Sequence, residues 1–337
     1  MPLKKVKVAI AGLGFMGATH LRAYQAIRQA RVVAVCDSSR LPVNGVLRCV
    51  QGNLSRGADI QLGARVKLYG AFDQLLTDPE VDLVDICTPT ALHAGQVVAA
   101  LQAGKHVLCE KPLAQNAAAA RKILRIAQAS NTFLMPAMCM RFWPGWSWLK
   151  QVVTEQTFGA VQAAGFRRLT ARPAWSQAGT HLGGALLDLH IHDTDFVNFL
   201  FGRPEAVFST GVIGARGEVD HIVTQYYYPL GPVVQAEGSW LLPDGFNMGF
   251  TLHCERATID FDLSRGAEAL RVHAAGKKAR TIKLKSTDGY REEIASFVNA
   301  VACGVKPSIV TPQDGLTALE ICAAEEKSVR SGAVVKL

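Results

Sequence analysis

The stretch from Val6 to Gly17, VKVAIAGLGFMG, decides the fold that this sequence predicts. Its first six residues form an apolar run typical of a strand, and a helical pattern extends from about Gly14 to Gln29. The GxGxxG between them supplies one glycine for a tight turn, a second that lets the backbone approach a pyrophosphate, and a third for close helix–strand packing. Strand, glycine turn and helix in this order predict a dinucleotide-binding unit.

The amino end of that helix is the expected pyrophosphate site, because its amide hydrogens and the helix dipole favour an anion. Asp37 follows Gly17 by 20 residues, at the end of the second predicted strand. A carboxylate there accepts hydrogen bonds from the adenosine ribose hydroxyls and repels a 2′-phosphate, which favours NAD. Ser38 and Arg40 follow at once and can hold that phosphate, so NADP stays open as the alternative.

The first 135 residues alternate short apolar strands with longer helical segments, which predicts βαβ units and a doubly wound parallel sheet. Residues 41–65 are rich in Gly, Asn, Ser and Asp and predict an irregular excursion of undetermined role. We therefore assign the α/β class, and a Rossmann domain over residues 1–135. The later strands are predicted at Val32–Cys36, Val66–Tyr69, Leu83–Cys87, Val107–Cys109 and Phe133–Ala137, with helices over 93–103 and 114–129.

Residues 136–337 are assigned to an α+β domain for substrate binding and oligomerisation. From about residue 160 the pattern changes to successive β-rich segments, which predicts a large, mainly antiparallel sheet, and helices over Tyr290–Ala302 and Gln313–Ser331 close the chain. Because a large open sheet with one uncovered face invites a partner, we expect a homodimer or homotetramer through this sheet. The β-rich segments cover 206–214, 221–228, 233–242, 248–254, 257–261, 270–274 and 280–284.

The composition argues against nucleic-acid and membrane functions. The 36 Lys and Arg against 28 Asp and Glu give a net charge of +8, but the basic residues are scattered and no nucleic-acid-binding signature accompanies them. No run reaches the length of an apolar membrane helix, about 18 residues. The eight cysteines form no CxxC pair, which favours reduced thiols in a cytoplasmic protein whose folded domain starts at residue 1.

Two polar motifs follow strands of the predicted parallel sheet, at the carboxyl ends where such sheets bind ligands. They are TPTALH at 88–93 and EKP at 110–112. With the glycine turn, the segment AGKHVLCEKP at 103–112, and GGALLD at 183–188 followed by His192, the chain resembles the Gfo/Idh/MocA oxidoreductases. The resemblance covers essentially the whole chain and implies a dehydrogenase.

The resemblance implies that Lys111, Asp188 and His192 form the catalytic group beside the nicotinamide and the substrate, and it allows a cis Lys111–Pro112 bond. Asp188 and His192 are four residues apart, so they project from one face of the expected helix. His192 is the expected acid–base because imidazole has a near-neutral pKa. Asp188 would orient it, and the Lys111 ammonium would bond the reacting oxygen.

The expected cofactor contacts combine the glycine turn, the end of the second strand and the two polar motifs. His93 has an equally strong alternative as a buried structural histidine, and His20 is expected to pack beside the cofactor. The full set is Gly12, Gly14, Phe15, Met16, Gly17, Asp37, Ser38, Arg40, Thr88, Pro89, His93, Glu110 and Lys111.

The expected substrate site lies where the Rossmann domain ends, since residues 140–148 contain three of the five tryptophans. Aromatic faces pack against the apolar C–H surface of sugar rings, and arginines add polar contacts. Trp146 and Trp148 have the alternative of filling the domain interface. The predicted substrate contacts are Lys111, Arg141, Trp175, Asp188 and His192, with Arg167 and Arg172 as further polar candidates.

A metal site is the competing interpretation of the histidine-rich segment 181–195. Imidazole and carboxylate suit zinc or iron, but His190 lies about 200° round a helix from Asp188, so the cluster cannot converge. We therefore predict no metal. Relatives often have a small residue at the position of His190, and a structural role is expected for it.

These observations predict an NAD(P)-dependent dehydrogenase that moves hydride between a nicotinamide and a hydroxyl or keto carbon of a sugar, polyol or related cyclic alcohol. One alternative on the same scaffold is an NAD-dependent glycosidase. A second is a catalytically silent nicotinamide-sensing regulator, against which the intact Lys111, Asp188 and His192 set argues.

Overall fold

A computed structural model describes residues 5–49, 52, 58–173, 176 and 183–337 of the chain. The chain forms two compact units, Met1–Phe142 with Thr287–Leu316, and Trp143–Ser286 with Thr317–Leu337. The predicted boundary between residues 135 and 136 lies close to the first of these divisions. The return of residues 287–316 to the first unit is absent from the predicted division.

The first unit is built on a six-stranded parallel sheet. Its elements in chain order are β1 (Val6–Ala11), α1 (Phe15–Gln25), β2 (Ala30–Cys36), β3 (Val46–Leu47), β4 (Ile60–Gln61), β5 (Lys67–Tyr69), α2 (Phe72–Leu76), β6 (Leu83–Ile86), α3 (Thr90–Gln102), β7 (His106–Glu110), α4 (Ala117–Ala129) and β8 (Leu134–Ala137). The sheet order is β5-β2-β1-β6-β7-β8, while β3 and β4 pair separately within the predicted excursion. This is the doubly wound order of dinucleotide-binding sheets, which confirms the predicted fold.

The central strands β1 and β6 place the binding edge. Both are buried almost throughout, as expected for a parallel sheet covered by helices on both faces. Asp85 breaks the apolar pattern of β6 and is nevertheless fully buried. The direction of strand order reverses between β1 and β6, so the ligand crevice of such a sheet lies outside their carboxyl ends.

The second unit contains a large sheet, as predicted. The elements of the rest of the chain, of which α7 belongs to the first unit, are α5 (Pro144–Thr154), β9 (Val161–Ala171), a π-helical turn (Leu186–His190), α6 (Ile191–Phe201), β10 (Ala206–Ile213), β11 (Val219–Tyr227), β12 (Val233–Cys254), β13 (Ala257–Asp262), β14 (Leu270–Ala274), β15 (Arg280–Thr281), α7 (Gly289–Cys303), α8 (Pro312–Ser331) and β16 (Val335–Lys336). The sheet order is β15-β14-β13-β12-β11-β10-β16, with β9 paired to β12.

Strand β9 is absent from the sequence prediction. Both halves of β12, predicted as two separate strands, pair with it. Its inward positions alternate along the strand but include the buried polar residues Arg168 and Thr170. The Arg168 guanidinium donates to both carboxylate oxygens of Asp193 at 3.0 Å. The polar Arg168 and Thr170 break the apolar alternation that marks a strand, and the partner that allows a buried arginine lies 25 residues away, so the local sequence does not reveal this strand.

Helix α7 packs on α1 and β1, which places it in the first unit. Its side chains Ile294, Phe297 and Val298 are fully buried. The apolar face of a helix shows that the helix packs on a core but does not specify which core. The predicted domain of residues 136–337 therefore includes α7, whereas the structure places this helix in the first unit. None of the helices in the described parts of the chain is long and apolar enough to cross a membrane.

Candidate active site

The glycine turn after β1 has the shape that a dinucleotide requires. Gly12 has φ +87°, and a Cβ there would lie 2.6 Å from the carbonyl oxygen of Cys87, while a Cβ at Gly17 would collide with the carbonyl of Gly12. A Cβ at Gly14 would meet no described atom within 4 Å. Packing therefore requires the outer two glycines, and the middle one leaves backbone open beside the amino end of α1 for a phosphate.

Asp37 stands at the end of β2 and fixes the glycine turn. Its Oδ2 accepts the amide of Leu13 at 2.8 Å, and its Oδ1 accepts the amides of Ser39 and Arg40 at 2.9 Å. Burial opposes ionisation, but these amide donors outweigh it and lower the pKa of Asp37. The ionised carboxylate retains a lone pair on Oδ2 for a further donor such as a ribose hydroxyl.

Ser38 and Arg40, the alternative phosphate-binding pair, are exposed beside this carboxylate. The Arg40 guanidinium contacts two backbone carbonyl oxygens, Leu13 O at 3.3 Å and Arg48 O at 3.4 Å. The guanidinium is therefore held beside the glycine turn, and the choice between NAD and NADP stays a prediction.

His93 connects the two polar motifs. Its Nδ1 lies 2.7 Å from the carbonyl oxygen of Pro112, and its Nε2 lies 2.8 Å from that of Thr88. Burial lowers the pKa of His93, although both carbonyls favour the protonated ring. The neutral ring donates through one nitrogen only, so one carbonyl receives its proton. These contacts support the structural alternative for His93, and its cofactor contact stays a prediction.

Glu110 is the last residue of β7 and Lys111 follows it, on the same edge of the sheet as the glycine turn. Glu110 is buried, and its Oε2 accepts the backbone amide of Lys111 at 3.0 Å. The Lys111–Pro112 bond is cis, as the resemblance allows, and Lys111 is half-buried. The first unit therefore brings the glycine turn, Asp37, the TPT segment and Lys111 to one edge.

Sequence reasoning missed a buried ionic group behind this edge. His20 of α1 has its Nδ1 2.8 Å from Oδ2 of Asp85 and its Nε2 3.1 Å from Oε1 of Glu110. The signal that could have revealed it is a charged residue inside an apolar central strand, since a buried carboxylate needs a partner. The expectation of simple packing for His20 was therefore incomplete.

In the second unit Asp188 lies in the π-helical turn and His192 in the first turn of α6. Both are half-buried, whereas Leu189, His190 and Ile191 between them are buried, so the two candidates share the more open side of the helix. The indole Nε1 of Trp240 donates to Oδ2 of Asp188 at 3.2 Å. π-helical turns occur frequently at functional sites.

His190 has a structural environment. It is fully buried, and its Nε2 lies 3.2 Å from Oγ1 of Thr224, 3.3 Å from the hydroxyl of Tyr226 and 3.4 Å from Oε1 of Glu325. Asp193 is paired with Arg168. His190 and Asp193 therefore have separate partners. His181 lies outside the described residues, and the absence of a metal from this segment stays a prediction.

Two predicted substrate contacts gain no support from the structure. The buried guanidinium of Arg141 donates to the carbonyl oxygen of Ile309 at 2.7 Å and lies 3.0 Å from Oδ1 of Asp314, so it holds the 309–314 segment. Trp175 lies outside the described residues. Trp146 is fully buried against the rings of Phe250 and Phe261, in the core of the second unit.

The glycine turn at the reversal point of a doubly wound sheet defines the first unit as a dinucleotide-binding domain. Residues 6–138 match the sequence model described as "Oxidoreductase family, NAD-binding Rossmann fold", and residues 146–260 match the "GFO/IDH/MocA C-terminal domain". The chain therefore belongs to the Gfo/Idh/MocA family of oxidoreductases, which confirms the resemblance and the NAD-binding fold.

Similar proteins include several that are named as dehydrogenases. The chain is 27% identical over 346 residues to a myo-inositol 2-dehydrogenase of Thermotoga maritima, with 98% of each chain covered. It is 36% identical over 173 residues to a trans-1,2-dihydrobenzene-1,2-diol dehydrogenase of Mus musculus, covering 49% of this chain and 51% of that one. The solved structure of levoglucosan dehydrogenase in complex with NADH and L-sorbose shares the fold, with a TM-score of 0.82, 22% identity and 99% of both chains covered.

Proposed function

We propose that this oxidoreductase is an NAD-dependent dehydrogenase for a hydroxyl-bearing carbon of a sugar, polyol or related cyclic alcohol, and that it also catalyses the reverse reduction. The observation that carries the proposal is the position of Lys111 at the carboxyl end of β7, on the same edge as the glycine turn. This is the edge along which a dinucleotide extends from its pyrophosphate site.

The residues of the first unit fit such a cofactor. Gly14 leaves open backbone for the pyrophosphate, and the ionised Asp37 offers an acceptor to the ribose. A carboxylate at this position disfavours a 2′-phosphate, so NAD is the proposed cofactor and NADP the alternative. When bound, the nicotinamide supplies the acceptor or donor of hydride.

The chain supplies the proton chemistry. The Lys111 ammonium donates a hydrogen bond to the reacting oxygen and so lowers the pKa of the hydroxyl. His192 takes the proton, because a near-neutral imidazole is suited to general base catalysis. Asp188, which accepts the Trp240 indole hydrogen, orients His192. The joint action of these three residues is inferred from the family resemblance.

The substrate class rests on the relatives. The names of the inositol, dihydrodiol and levoglucosan dehydrogenases each state a substrate with hydroxyls on a ring. A cyclic alcohol is therefore the proposed class, while the particular molecule and the carbon oxidised stay open. A cytoplasmic location and a homo-oligomer through the second unit's sheet stay predictions.

The test is a turnover panel. Purified protein is mixed with NAD and, one at a time, myo-inositol, levoglucosan and a set of aldoses, and NADH absorbance is followed. NADH formation with at least one ring alcohol, lost when NAD is omitted, is the expected result. Hydrolysis of an aryl glycoside without net NADH formation would identify a glycosidase instead, and silence across the panel despite NADH binding would favour a regulator.

A further inference from the structure

His20 lies between two carboxylates in the interior of the first unit. Its Nδ1 is 2.8 Å from Oδ2 of Asp85, and its Nε2 is 3.1 Å from Oε1 of Glu110. His20 and Asp85 are fully buried, and Glu110 is 6% exposed. A carboxylate oxygen lies close to each ring nitrogen, and an imidazolium, which carries a hydrogen on both nitrogens, suits this pair of contacts. The Nδ1 contact is a hydrogen bond, whereas the Nε2 contact is a close ion pair without hydrogen-bond alignment.

The electrostatics agree with this charge state. Burial disfavours the cation, but the Asp85 carboxylate outweighs it and raises the pKa of His20 well above its usual value. Burial also disfavours ionised Glu110, yet His20 and Lys111 lower the pKa of that carboxyl. The other groups around His20 are Tyr290, whose ring centroid is 6.2 Å away, and Tyr24 and Glu293, which belong to the same buried cluster.

The ionic chain continues to the candidate catalytic residue. The second oxygen of Glu110, Oε2, accepts the backbone amide of Lys111 at 3.0 Å. Asp85, His20 and Glu110 therefore form a buried sequence of charges that ends on the Lys111 backbone. The orientation of the Glu110 carboxylate, and with it the position of the Lys111 backbone, depends on the imidazolium behind it.

We propose that His20 is a positioning residue for Lys111. Asp85 fixes His20, His20 fixes the Glu110 carboxylate, and Glu110 fixes the backbone of Lys111. The inference rests on the proposed function in one respect, that Lys111 acts in turnover. Residues that orient metal ligands change affinity or activity by about 10- to 100-fold when replaced, and we expect a loss of the same order from a residue that orients Lys111.

Metal binding by the same cluster is a different use of these residues. Within the described residues, His20, Asp85 and Cys87 offer ligand atoms within 4.8 Å of one another. Two ligands of a tetrahedral zinc ion, each about 2.1 Å from it, lie about 3.4 Å apart, whereas Nδ1 of His20 and Oδ2 of Asp85 are 2.8 Å apart. Burial also raises the pKa of the Cys87 thiol, which keeps it protonated. The spacing is that of a hydrogen-bonded ion pair.

The test uses His20→Gln, with Asp85→Asn as a second variant in case the first does not fold. The control is Lys105→Met, because Lys105 is also buried in the first unit, at the other end of β7, and donates to the carbonyls of Asp78 and Val81 at 2.9 Å. We expect kcat with NAD and the best ring alcohol of the panel to fall about 10- to 100-fold in the His20 or Asp85 variant, with the Kd for NADH within about twofold of wild type. The control should lose thermal stability with kcat unchanged.

A double variant tests the route of the effect. If His20 acts through Lys111, then His20→Gln combined with Lys111→Ala is no slower than Lys111→Ala alone. Additive losses would overturn the proposal. Normal turnover of Lys111→Ala by itself would instead overturn the proposed function and leave the ionic chain intact, so the two failures are distinguishable.

A measurement on the wild-type protein needs no variant. Nitrogen-15 NMR of labelled histidine should show His20 protonated on both ring nitrogens at neutral pH, when most exposed histidines have lost one proton. A neutral His20 ring would overturn the proposal. Stoichiometric zinc in the purified protein, lost in His20→Gln, would also overturn it in favour of a metal site.

Discussion

At the scale of single residues, the glycine turn carries the clearest agreement between pattern and structure. The predicted reasons for Gly12, Gly14 and Gly17 are all visible as close approaches or open backbone. Such local signals are readable because the turn, the strand and the helix that need them are adjacent in sequence. Asp37 at the end of β2 is readable for the same reason.

Arg141 shows where residue-scale prediction ends. Its guanidinium binds the carbonyl oxygen of Ile309, 168 residues further along the chain. Trp240 likewise reaches Asp188 across 52 residues. Contacts between residues so far apart in sequence depend on how the whole unit packs, and no local spacing encodes them. Neither the partner of Arg141 nor the contact of Trp240 with Asp188 is therefore predictable from the sequence.

Lys111→Ala is the most informative single change at this scale. Loss of the ammonium removes the hydrogen bond to the reacting oxygen, so kcat should fall by about 100-fold or more. The Kd for NADH should stay within about twofold, because the backbone of the glycine turn is untouched. The exposed Lys285→Ala is the matched control, and wild-type turnover in Lys111→Ala would reject the catalytic role.

At the scale of elements, the six predicted strands of the first unit are confirmed, with ends that shift by a few residues. The turn before α6 is different, because the sequence predicts an ordinary helix after Gly184 and the structure has a π-helical turn over Leu186–His190. The wider turn is accompanied by tertiary contacts of its residues Asp188 and His190 with Trp240 and Thr224 of the sheet. The helical periodicity of the local sequence does not indicate those contacts, so the π-helical turn is not predictable from it.

Trp240→Phe tests the role of this turn. The change keeps an aromatic ring but removes the hydrogen donor to Asp188 and leaves a small cavity, so stability should fall by about 1 to 3 kcal/mol. If Asp188 orients His192, kcat should fall about tenfold and the pH profile of kcat should shift, since the charge beside the acid–base group is less well fixed. An unchanged pH profile with an unchanged kcat would place Trp240 outside the active site.

The ion pairs of His20 in α1 with Asp85 in β6 and Glu110 in β7 should make the stability of the protein depend on pH. The pKa of His20 is raised in the folded protein, so its stabilising effect is complete below its ordinary pKa of about 6.5 and is lost as pH rises through the folded value. Urea unfolding should show wild type about 3 to 5 kcal/mol more stable than His20→Gln near pH 6. The difference should shrink at alkaline pH, and a difference independent of pH would contradict a charged His20.

At the scale of the whole molecule, the division into a dinucleotide-binding unit and a sheet-rich unit follows from the change of pattern along the chain, while the return of α7 to the first unit does not. Helix α7 joins the first unit through Ile294, Phe297 and Val298, and those apolar residues would suit either core. Sequence patterns specify which faces are buried, but the partner of a face is decided by packing between distant segments.

The sheet of the second unit gives a prediction about assembly. Phe208, Val212, Tyr227 and Val233 are exposed, and the strand register, which pairs Phe208 with Gln225 and Gln225 with Gln235, places them on one face of the sheet. If that face forms a homodimer or homotetramer, light scattering should give two or four chain masses for wild type and one for Tyr227→Glu. Val305→Glu, at an exposed apolar residue of the first unit, should leave the mass unchanged. A single-chain mass for wild type would reject the assembly.

The most direct test of the central claim is a fluorescence titration of the purified protein with NADH and, separately, with NADPH. The open backbone at Gly14 and the ionised carboxylate of Asp37 predict saturable binding of NADH with a lower Kd than that of NADPH. Tighter NADPH binding would transfer the cofactor preference to Ser38 and Arg40. Failure of either nucleotide to bind would contradict the proposal that this chain works as a nicotinamide-dependent dehydrogenase.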